Sequence, residues 1–420
     1  QTCALPIFKV AQMNYEKLGV APVVKILEGV GAFDGIYFFL GSILPNSQDK
    51  DIYFKYIEAA VKCNQLKDVE KVITEAPNCY DAQRVKEFLL EMKLPDPKPL
   101  ILLCDKNGFV GELTKYLWMN NFKSYIEIYI LKVNPNAAPE VIGNLIDLEA
   151  EETYLRQLVL SIRGNCPVAD LIQNFEKRNK LRLLETWLEQ RVAEGITTPE
   201  VHNALAKIVI DSDKNPAKFL QENKHYDAKT IGKYCEDRDP HLAFEAYKRD
   251  FGKCDYELID LSNKNALYRL QAKYLVERQD PDLWAHVLTP DNPHRQFIIE
   301  QVVSNALPES KSVDEVSVAV KAFNQAELHA ELMSLLEKIV LHNSEFSGIK
   351  PLQNLLIITA LKTDKTRVMD YINRLDNYDG AKIASIAKGE DYKLYEEAFT
   401  IYQKIGEHVE AMNVLLVFME

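Results

Sequence analysis

The sequence KVITEAPNCYD at residues 71–81 ends in a Tyr-Asp pair, and KFLQENKHYD at 218–227 and DYINRLDNYD at 370–379 end in the same pair. Each stretch closes one amphipathic segment and opens another. The aspartate stands where a helix N-cap belongs, because its carboxylate can accept from free N–H groups of the first turn. The tyrosine before the cap and an aliphatic residue four positions after it form the pattern of a hydrophobic staple. The predicted caps are Asp81, Asp227 and Asp379, and the predicted staples are Tyr80 with Val85, Tyr226 with Ile231 and Tyr378 with Ile383.

These pairs recur at long range, 146 residues apart (80 to 226) and 152 residues apart (226 to 378). Downstream of the second and third pairs, the segment AFEAY at 243–247 matches AFTIY at 398–402. A repeat of this length must contain several helical hairpins. The alternative is that a common dipeptide occurs three times by chance, although each copy also follows a helical pattern.

Helical periodicity runs from Ala11 onward, with short loops and almost none of the alternation that marks strands. Short loops make sequence neighbours antiparallel neighbours in space. The predicted fold class is therefore all-α, an α-solenoid (superhelix) of stacked antiparallel helical hairpins. The predicted helical segments include 21–30, 33–44, 66–75, 99–105, 109–119, 122–132, 139–148, 151–162, 168–178, 180–193, 311–342 as two helices meeting near Asn324, 351–362, 364–375, 379–388 and 391–404.

Cap and turn residues punctuate this pattern. Asp51 is predicted to cap the helix that follows it, and Asn107-Gly108 is predicted to form a turn. The aromatic-rich segment 33–44 is expected to be mostly buried. Four prolines are predicted at first helical positions, where a missing N–H breaks no helical hydrogen bond. They are Pro199, Pro216, Pro240 and Pro281.

The domain division follows from these signals. Residues 1–12 lack a clear period, and three helical repeats are predicted at 13–150, 151–300 and 301–420. The last helix is strongly apolar, whereas a solenoid normally ends in a cap with a polar outer face. We therefore expect the chain to be cut from a longer one, with its third repeat truncated at the C-terminus. The apolar residues concerned are Val409, Met412, Leu415, Leu416, Val417, Phe418 and Met419.

The composition limits the class of protein. A formal charge of −12 and a pI near 5.3 argue against nucleic-acid binding by phosphate neutralisation. The one basic run, 177–182, is interleaved with glutamates and is interpreted as a solvated helix face. Seven cysteines without a CxxC pair, and no glycosylation sequon, favour a reducing, cytosolic environment. No apolar run is long enough to span a membrane, so the protein is predicted to be soluble and not secreted.

No motif with catalytic, cofactor-binding or metal-binding chemistry was found, so no catalytic, cofactor or metal residue is predicted. The glycines of 29–34 lack a third glycine and a preceding strand, which favours a helix-helix turn over a phosphate loop. Asp-x-Asp occurs at 211/213, 237/239 and 280/282, beside Asn-Pro or Asp-Pro signals, and is interpreted as helix capping and not as metal ligation. The three tryptophans and the tyrosines are interpreted as core residues.

Several longer strings resemble the clathrin heavy-chain family, from about residue 13 to about residue 410. They are FKYIEAA at 54–60, YIEIY at 125–129 with KVNP at 132–135, HNALAKI at 202–208, GKYCEDRDPHLA at 232–243, LLEKIVL at 335–341, LQNLLII at 352–358 and NRLDNYD at 373–379. The resemblance implies an α-solenoid of clathrin-type repeats. In that family, three heavy chains join into a triskelion and their legs pack into a polyhedral lattice. An N-terminal propeller binds adaptor proteins.

The matching part resembles the distal leg. The resemblance therefore implies a structural coat segment on the cytoplasmic face of coated pits and vesicles, with other clathrin heavy chains as partners and no enzyme activity. Light-chain binding and trimerisation belong to other parts of the family's chain. Two other classes stay open. One is a solenoid adaptor or tether of the vacuolar sorting type, which would show an apolar groove. The other is an all-helical enzyme, which would bring perturbed ionisable groups together in one pocket.

Overall fold

The computed structural model describes residues 19–76, 78–342 and 344–419. Their regular structure is helical, and none of these residues lies in a β-strand. The chain forms two compact units, Gln1–Asp211 (unit 1) and Ser212–Glu420 (unit 2). The segment predicted at residues 1–12 lies outside the described residues.

Unit 1 is a succession of helices joined by short loops. A π-helical turn, Tyr129–Val133, directly follows helix Lys123–Ile128. Three short segments are 3₁₀-helical: Leu44–Asn46, Pro135–Ala137 and Leu181–Leu184. The α-helices of unit 1 are Val20–Gly29, Phe33–Ile43, Lys50–Lys62, Leu66–Glu75, Ala82–Glu91, Lys98–Asn107, Val110–Met119, Lys123–Ile128, Ala138–Asp147, Glu152–Ile162, Val168–Lys177, Glu185–Ala193 and Pro199–Asp211.

Unit 2 continues in the same way. It contains π-helical turns at Val302–Ala306 and Glu337–Leu341 and a 3₁₀ segment at Lys365–Arg367. The α-helices of unit 2 are Pro216–Glu222, Ala228–Cys235, Pro240–Arg249, Asp255–Lys264, Tyr268–Arg278, Pro281–Val287, Arg295–Gln301, Leu307–Glu309, Val313–Gln325, His329–Leu336, Ser344–Ser347, Lys350–Thr363, Val368–Arg374, Gly380–Ala387, Tyr395–Lys404 and His408–Met419.

Each amphipathic helix buries one face. In Leu66–Glu75, the buried residues are Val69, Val72 and Ile73, which share a face at helical spacing, while the charged residues point outward. That helix packs against the next helix but one, Lys98–Asn107. Packing of this kind repeats within both units, so successive hairpins cover one another's apolar faces. The prediction of an all-α solenoid of helical hairpins is confirmed.

Local details of the fold test the sequence reasoning. Gly108 adopts a left-handed φ of 72° after helix Lys98–Asn107, as the Asn-Gly turn predicts. The four predicted prolines each stand first in their helices. Trp187 and Trp284 are almost fully buried, as predicted for core residues. Trp118 is half-buried and Tyr256 is 59% exposed, so the prediction does not hold for every aromatic residue.

Two local predictions are wrong. Asp49, and not Asp51, caps helix Lys50–Lys62, because the Asp49 carboxylate accepts the Asp51 N–H at 2.9 Å. Asp51 lies in the first turn. In helix Phe33–Ile43, Phe39 and Leu40 are buried, but Phe38 is 60% exposed. Phe38 lies on the same outward face as Asp34 and Ser42, which are exposed too.

The last helix, His408–Met419, buries Ala411 and Val414 and exposes an apolar stripe at Val409, Met412 and Leu416. These three residues lie at helical spacing on one face. Among the described helices of the chain, none combines the length and the apolar character that crossing a membrane requires.

Candidate functional site: three helix junctions

The Tyr-Asp pairs lie in three similar junctions, each built from three consecutive helices. The first helix ends shortly before the pair, the second begins at it, and the third returns to the end of the first. The first junction comprises Leu66–Glu75, Ala82–Glu91 and Lys98–Asn107, the second Pro216–Glu222, Ala228–Cys235 and Pro240–Arg249, and the third Val368–Arg374, Gly380–Ala387 and Tyr395–Lys404.

The three predicted N-caps are confirmed. The Asp81 carboxylate accepts the N–H groups of Gln83 and Arg84 at 3.0 and 3.2 Å. Asp227 accepts the Thr230 N–H at 2.7 Å, and Asp379 accepts the Lys382 N–H at 3.4 Å. Each aspartate therefore satisfies backbone donors that the start of a helix leaves free.

The tyrosines have a role that the staple pattern does not include. Each phenol donates a hydrogen bond to a carbonyl near the end of the preceding helix. The three bonds run from Tyr80 to Ile73 at 3.4 Å, from Tyr226 to Leu220 at 3.1 Å and from Tyr378 to Ile372 at 3.5 Å. Burial raises the pKa of all three phenols, so they remain protonated donors at neutral pH. The tyrosine thus connects the end of one helix to the beginning of the next.

The staple residues are buried to different extents. Tyr80 and Tyr226 are at most 3% exposed, whereas Tyr378 is half-buried. The three aliphatic partners, Val85, Ile231 and Ile383, are fully buried. The first two junctions have both staple residues in the core, and the third is more open to solvent on the tyrosine side.

A cation from the third helix closes each junction. Lys106 donates to the carbonyls of Ile73 and Thr74 at 3.3 and 2.6 Å. Arg249 donates to the Lys224 carbonyl at 2.5 Å. Lys404 donates to the carbonyls of Ile372 and Leu375 at 2.9 and 2.6 Å. We call Lys106, Arg249 and Lys404 the clamp cations.

The position of the clamp cations has a physical cause. The last carbonyls of a helix have no partner within the helix and carry the negative end of its dipole. A positive side chain there makes charge-assisted hydrogen bonds. The same side chains also lie over the junction tyrosines, Arg249 at 4.2 Å from the Tyr226 ring and Lys404 at 5.5 Å from the Tyr378 ring. Lys106 and Lys404 therefore fix the third helix to the end of the first, and Arg249 fixes it to Lys224 in the loop after the first helix.

Sequence reasoning found the caps and missed the clamp cations. The cations follow their tyrosines by 26, 23 and 26 residues (80 to 106, 226 to 249 and 378 to 404). They stand in the last turn of a helix, where a basic residue is common in any case. Aligning the three copies beyond the matching AFEAY and AFTIY segments could have shown a basic residue two positions further on in the second and third copies.

The basic run at 177–182 is solvated, as predicted, because Lys177, Lys180 and Arg182 are exposed, but most of it follows the end of a helix and does not form a helix face. Helix Val168–Lys177 ends at Lys177, the first residue of the run. Arg178 forms a two-pronged pair with Asp147 at 2.7 and 2.6 Å. Lys180 pairs with Glu152 at 3.0 Å. A hydrogen bond from Arg178 lowers the pKa of Asp147. These cations connect neighbouring hairpins through carboxylates, because the turn after the helix directs them back to the preceding hairpin.

The capping interpretation of the Asp-x-Asp motifs is right for two of the three. Asp239 accepts the His241 N–H at 2.8 Å, and Asp280 accepts the Asp282 N–H at 3.0 Å, so both cap helices. The motif at 211/213 differs. Asp211 is the last residue of its helix, and Asn215 occupies the position before the next helix.

Several ionisable groups have pKa values shifted away from those that catalysis at neutral pH needs. Burial raises the pKa of the Cys104 and Cys166 thiols to about 12 and about 11, the opposite of what a nucleophilic thiol needs. Cation donors lower the pKa of surface carboxyls, whereas a general acid at neutral pH needs a raised one. The pairs are Glu257 with Lys229 and Glu309 with Lys273. Within the described ranges, no three or more His, Cys, Asp and Glu side chains are grouped so that they could hold a metal ion.

One cleft of unit 1 has a volume of about 660 Å³ and lies at the turn 147–152. Its charged walls include the Asp147–Arg178 and Glu152–Lys180 pairs described above. Glu149 and Glu151 also line the cleft, which is a groove between repeats whose charged pairs join neighbouring hairpins.

Comparison with known proteins gives the family. A family model described as "Region in Clathrin and VPS" matches residues 12–153, 160–299 and 307–419, which together cover most of the sequence. The chain belongs to the clathrin repeat family. Each of the three clathrin-repeat matches contains one of the junctions, with Tyr80, Tyr226 and Tyr378 in successive matches. The junction is therefore a feature that recurs once in each matched clathrin repeat.

Curated relatives are similar along nearly the whole chain. The chain is 56% identical over 401 residues to "Clathrin heavy chain 1" of Arabidopsis thaliana, a match of 96% of this chain and 23% of that protein. It is 53% identical over 394 residues to "Clathrin heavy chain" of Dictyostelium discoideum, covering 94% and 23%. It is 51% identical over 408 residues to "Clathrin heavy chain 2" of Homo sapiens, covering 97% and 25%. The chain thus spans about a quarter of the length of these clathrin relatives.

Proposed function

We propose that the chain is a structural segment of a clathrin coat. It serves as part of a heavy-chain leg that packs into the polyhedral lattice of coated pits and vesicles, in endocytosis and intracellular protein transport. The observation that carries this proposal is the high identity to clathrin heavy chains along nearly the whole sequence.

The helix junctions support a mechanical role. Each clamp cation fastens one helix to the end of another with hydrogen bonds to fixed carbonyls, and each matched repeat has its own clamp. In a solenoid, each hairpin contacts only its neighbours, so these local fastenings add up to the stiffness of the whole element. Lattice contacts that are individually weak can then add by multivalency.

The proposed partners are other clathrin heavy chains, through contacts between legs. We propose that light-chain binding and trimerisation belong to parts of the heavy chain outside this segment. The acidic composition, a formal charge of −12, supports the absence of a nucleic-acid partner. The proposed location is the cytoplasmic face of coated pits and coated vesicles, without direct insertion into the bilayer.

The proposal includes no catalytic activity. Its support is the state of the ionisable groups: thiols with raised pKa and carboxyls with lowered pKa are unsuited to nucleophilic or general acid chemistry at neutral pH.

The alternative function is a solenoid adaptor or tether of the vacuolar sorting type. The family description names VPS together with clathrin, which keeps this alternative in view. The high identity to proteins named clathrin heavy chain favours the coat segment.

A chimaera tests the proposal. The matching quarter of Arabidopsis thaliana clathrin heavy chain 1 is replaced by this chain, and purified chimaeric heavy chain is assembled and imaged by electron microscopy. We expect closed cages with the yield and geometry of the parent. A chimaera that is folded and helical by circular dichroism but does not assemble, while the parent does, would contradict the proposal.

A further inference from the structure

Two neighbouring hairpins of unit 1 meet without the polar fastenings found elsewhere in that unit. The first hairpin is formed by Val110–Met119 and the helical segment 123–133, and the second by Ala138–Asp147 and Glu152–Ile162. We call their interface the 110/138 interface. Within the described part of unit 1, one side-chain hydrogen bond crosses it, from the Tyr154 phenol to the Lys123 carbonyl at 3.4 Å, and no ion pair does.

The neighbouring interfaces are different. Toward the N-terminus, Lys106 is bonded to Thr74 at 2.6 Å, and Lys86 forms an ion pair with Glu112. Toward the C-terminus, the Arg178–Asp147 and Lys180–Glu152 pairs connect the 138–162 hairpin to the one after it. Directional polar bonds therefore fix the hairpins on both sides of the 110/138 interface more firmly than they fix the interface itself.

The packing at the 110/138 interface is close and includes no ion pair. At one end of it, the Trp118 and Tyr154 rings lie 5.4 Å apart, and the Lys123 ammonium lies 5.2 Å from the centre of the Tyr154 ring. Val110–Met119 and Ala138–Asp147 lie against each other, and their buried residues include Leu117, Ile142 and Leu145. The buried amide nitrogen of Asn144 has no hydrogen-bond partner. Apolar packing opposes separation of the two hairpins, but it is non-directional and opposes a small rotation less than hydrogen bonds do.

The π-helical turn Tyr129–Val133 directs polar side chains of the first hairpin toward the preceding helix. The turn brings the Tyr129 phenol and the Asn134 amide to the same carboxylate oxygen of Asp105, at 3.0 and 2.7 Å. Both bonds tie the hairpin to the preceding helix, Lys98–Asn107. π-Turns are frequent at functional positions in helices.

Unit 2 contains two further π-turns, Val302–Ala306 and Glu337–Leu341, and polar bonds do join their hairpins. The contacts between their hairpins include Lys338 to Ser304 at 3.2 Å and Arg295 to the Ala326 carbonyl at 3.4 Å. The second of these is longer than the usual range for a hydrogen bond.

We propose that the 110/138 interface is a hinge, the position where unit 1 bends most easily, while the clamp at the first junction is a stiff position. The two hairpins rotate against each other at this interface, and the clamped junction moves as one body. This property belongs to the folded chain alone and goes beyond the proposed coat function, so it can be measured without an assembled lattice.

Pulsed electron paramagnetic resonance on the full chain tests the hinge. Spin labels are attached through a ketone-bearing amino acid, which leaves the native cysteines unchanged. One pair replaces Lys115 and Arg156 across the 110/138 interface, and a matched pair replaces Lys71 and Lys98 across the first junction. All four side chains are exposed. We expect the distance distribution of the Lys115/Arg156 pair to be at least about twofold wider than that of the Lys71/Lys98 pair.

A second label pair and a clamp variant distinguish bending at the hinge from an effect of the labels themselves. Labels at Lys132 and Arg156 also span the 110/138 interface and should give the same wide distribution. Lys106→Met should widen the distribution across the first junction and leave the hinge distribution unchanged. Equal widths at the two positions, or a wider distribution across the clamp in the unsubstituted chain, would overturn the proposal.

Discussion

The ammonium nitrogen of Lys404 lies 2.6 Å from the carbonyl oxygen of Leu375 and 2.9 Å from that of Ile372. Both carbonyls belong to the end of helix Val368–Arg374, which leaves its last carbonyls without helical partners. Lys404 stands in the last turn of its own helix, so one side chain joins two helix ends. Equivalent contacts by Lys106 and Arg249 make this a repeated feature of the fold.

The first prediction concerns this clamp. Lys404→Met keeps most of the alkyl chain and removes the charged donor. We expect the free energy of unfolding of unit 2 to fall by about 1–2 kcal/mol, because two carbonyls lose a charged partner. Urea unfolding, with hydrogen exchange followed over residues 368–404, measures the loss. The control is Lys382→Met at an exposed position in the same junction, which should change stability by less than about 0.5 kcal/mol.

Local sequence patterns predicted much of the fold, because many of the contacts that define its helices join residues close together in the sequence. The caps Asp81, Asp227 and Asp379 act on residues two or three positions away, so a sequence pattern is enough to find them. The cap of Lys50–Lys62 shows the limit of this reasoning. Asp49 and Asp51 are both plausible caps, and only the backbone geometry selects Asp49.

The clamp cations and the hinge could not be predicted in the same way. Lys106 reaches Thr74 across 32 residues of sequence, and that contact depends on how helices stack. The exposure of Phe38 likewise depends on which face its neighbours cover. These features arise from packing between hairpins, and no local period encodes them.

The second prediction is a pH dependence at a junction cap. The pKa of Asp227 is lowered in the folded chain, chiefly by a hydrogen bond from the Thr230 side chain. A carboxyl with a lowered folded-state pKa stabilises the fold above its unfolded pKa, about 4, and this contribution is lost as the pH falls through the folded-state value. Asp227→Asn should therefore remove a stabilisation present at pH 7 and absent at low pH.

Unfolding of the wild type and of Asp227→Asn between pH 7 and strongly acidic pH measures this effect. The stability difference should be largest at pH 7 and should shrink below about pH 4. Asp237→Asn, at a largely exposed side chain of the same unit, is the control and should give no such pH-dependent difference. A difference that stays constant with pH would show that the carboxylate charge is not the cause.

The third prediction concerns Gly232 in the second junction. A Cβ atom at this position would lie 2.3 Å from the ring of Tyr247, whose phenol donates to Glu236 at 2.5 Å. Gly232→Ala must displace that ring, and we expect a destabilisation of about 1–3 kcal/mol. Gly29→Ala is the matched control, because a Cβ at Gly29 meets nothing within 4 Å. The control should be neutral or slightly stabilising, since alanine is the better helix former. Thermal unfolding of both variants compares them directly.

The fourth prediction concerns thiol reactivity. Burial raises the pKa of the Cys104 thiol to about 12, and the side chain is fully buried. At pH 8 only about one thiol in ten thousand would be ionised, and the thiolate is the reactive form. Iodoacetamide labelling followed by peptide mass spectrometry should modify Cys104 only after unfolding in urea. Rapid labelling of Cys104 in the folded chain would contradict the assigned burial.

The measurement that tests the central claim most directly is cage assembly by the chimaeric heavy chain with all three clamps removed. The triple variant Lys106→Met, Arg249→Met and Lys404→Met is compared with Lys115→Met, Lys233→Met and Lys382→Met, which alters three exposed lysines. Both variants are first shown to be folded by circular dichroism. We predict that the control assembles cages like the unsubstituted chimaera and that the clamp variant gives fewer and less regular ones. Normal cages from the clamp variant would contradict the claim that the junctions supply the stiffness on which assembly depends.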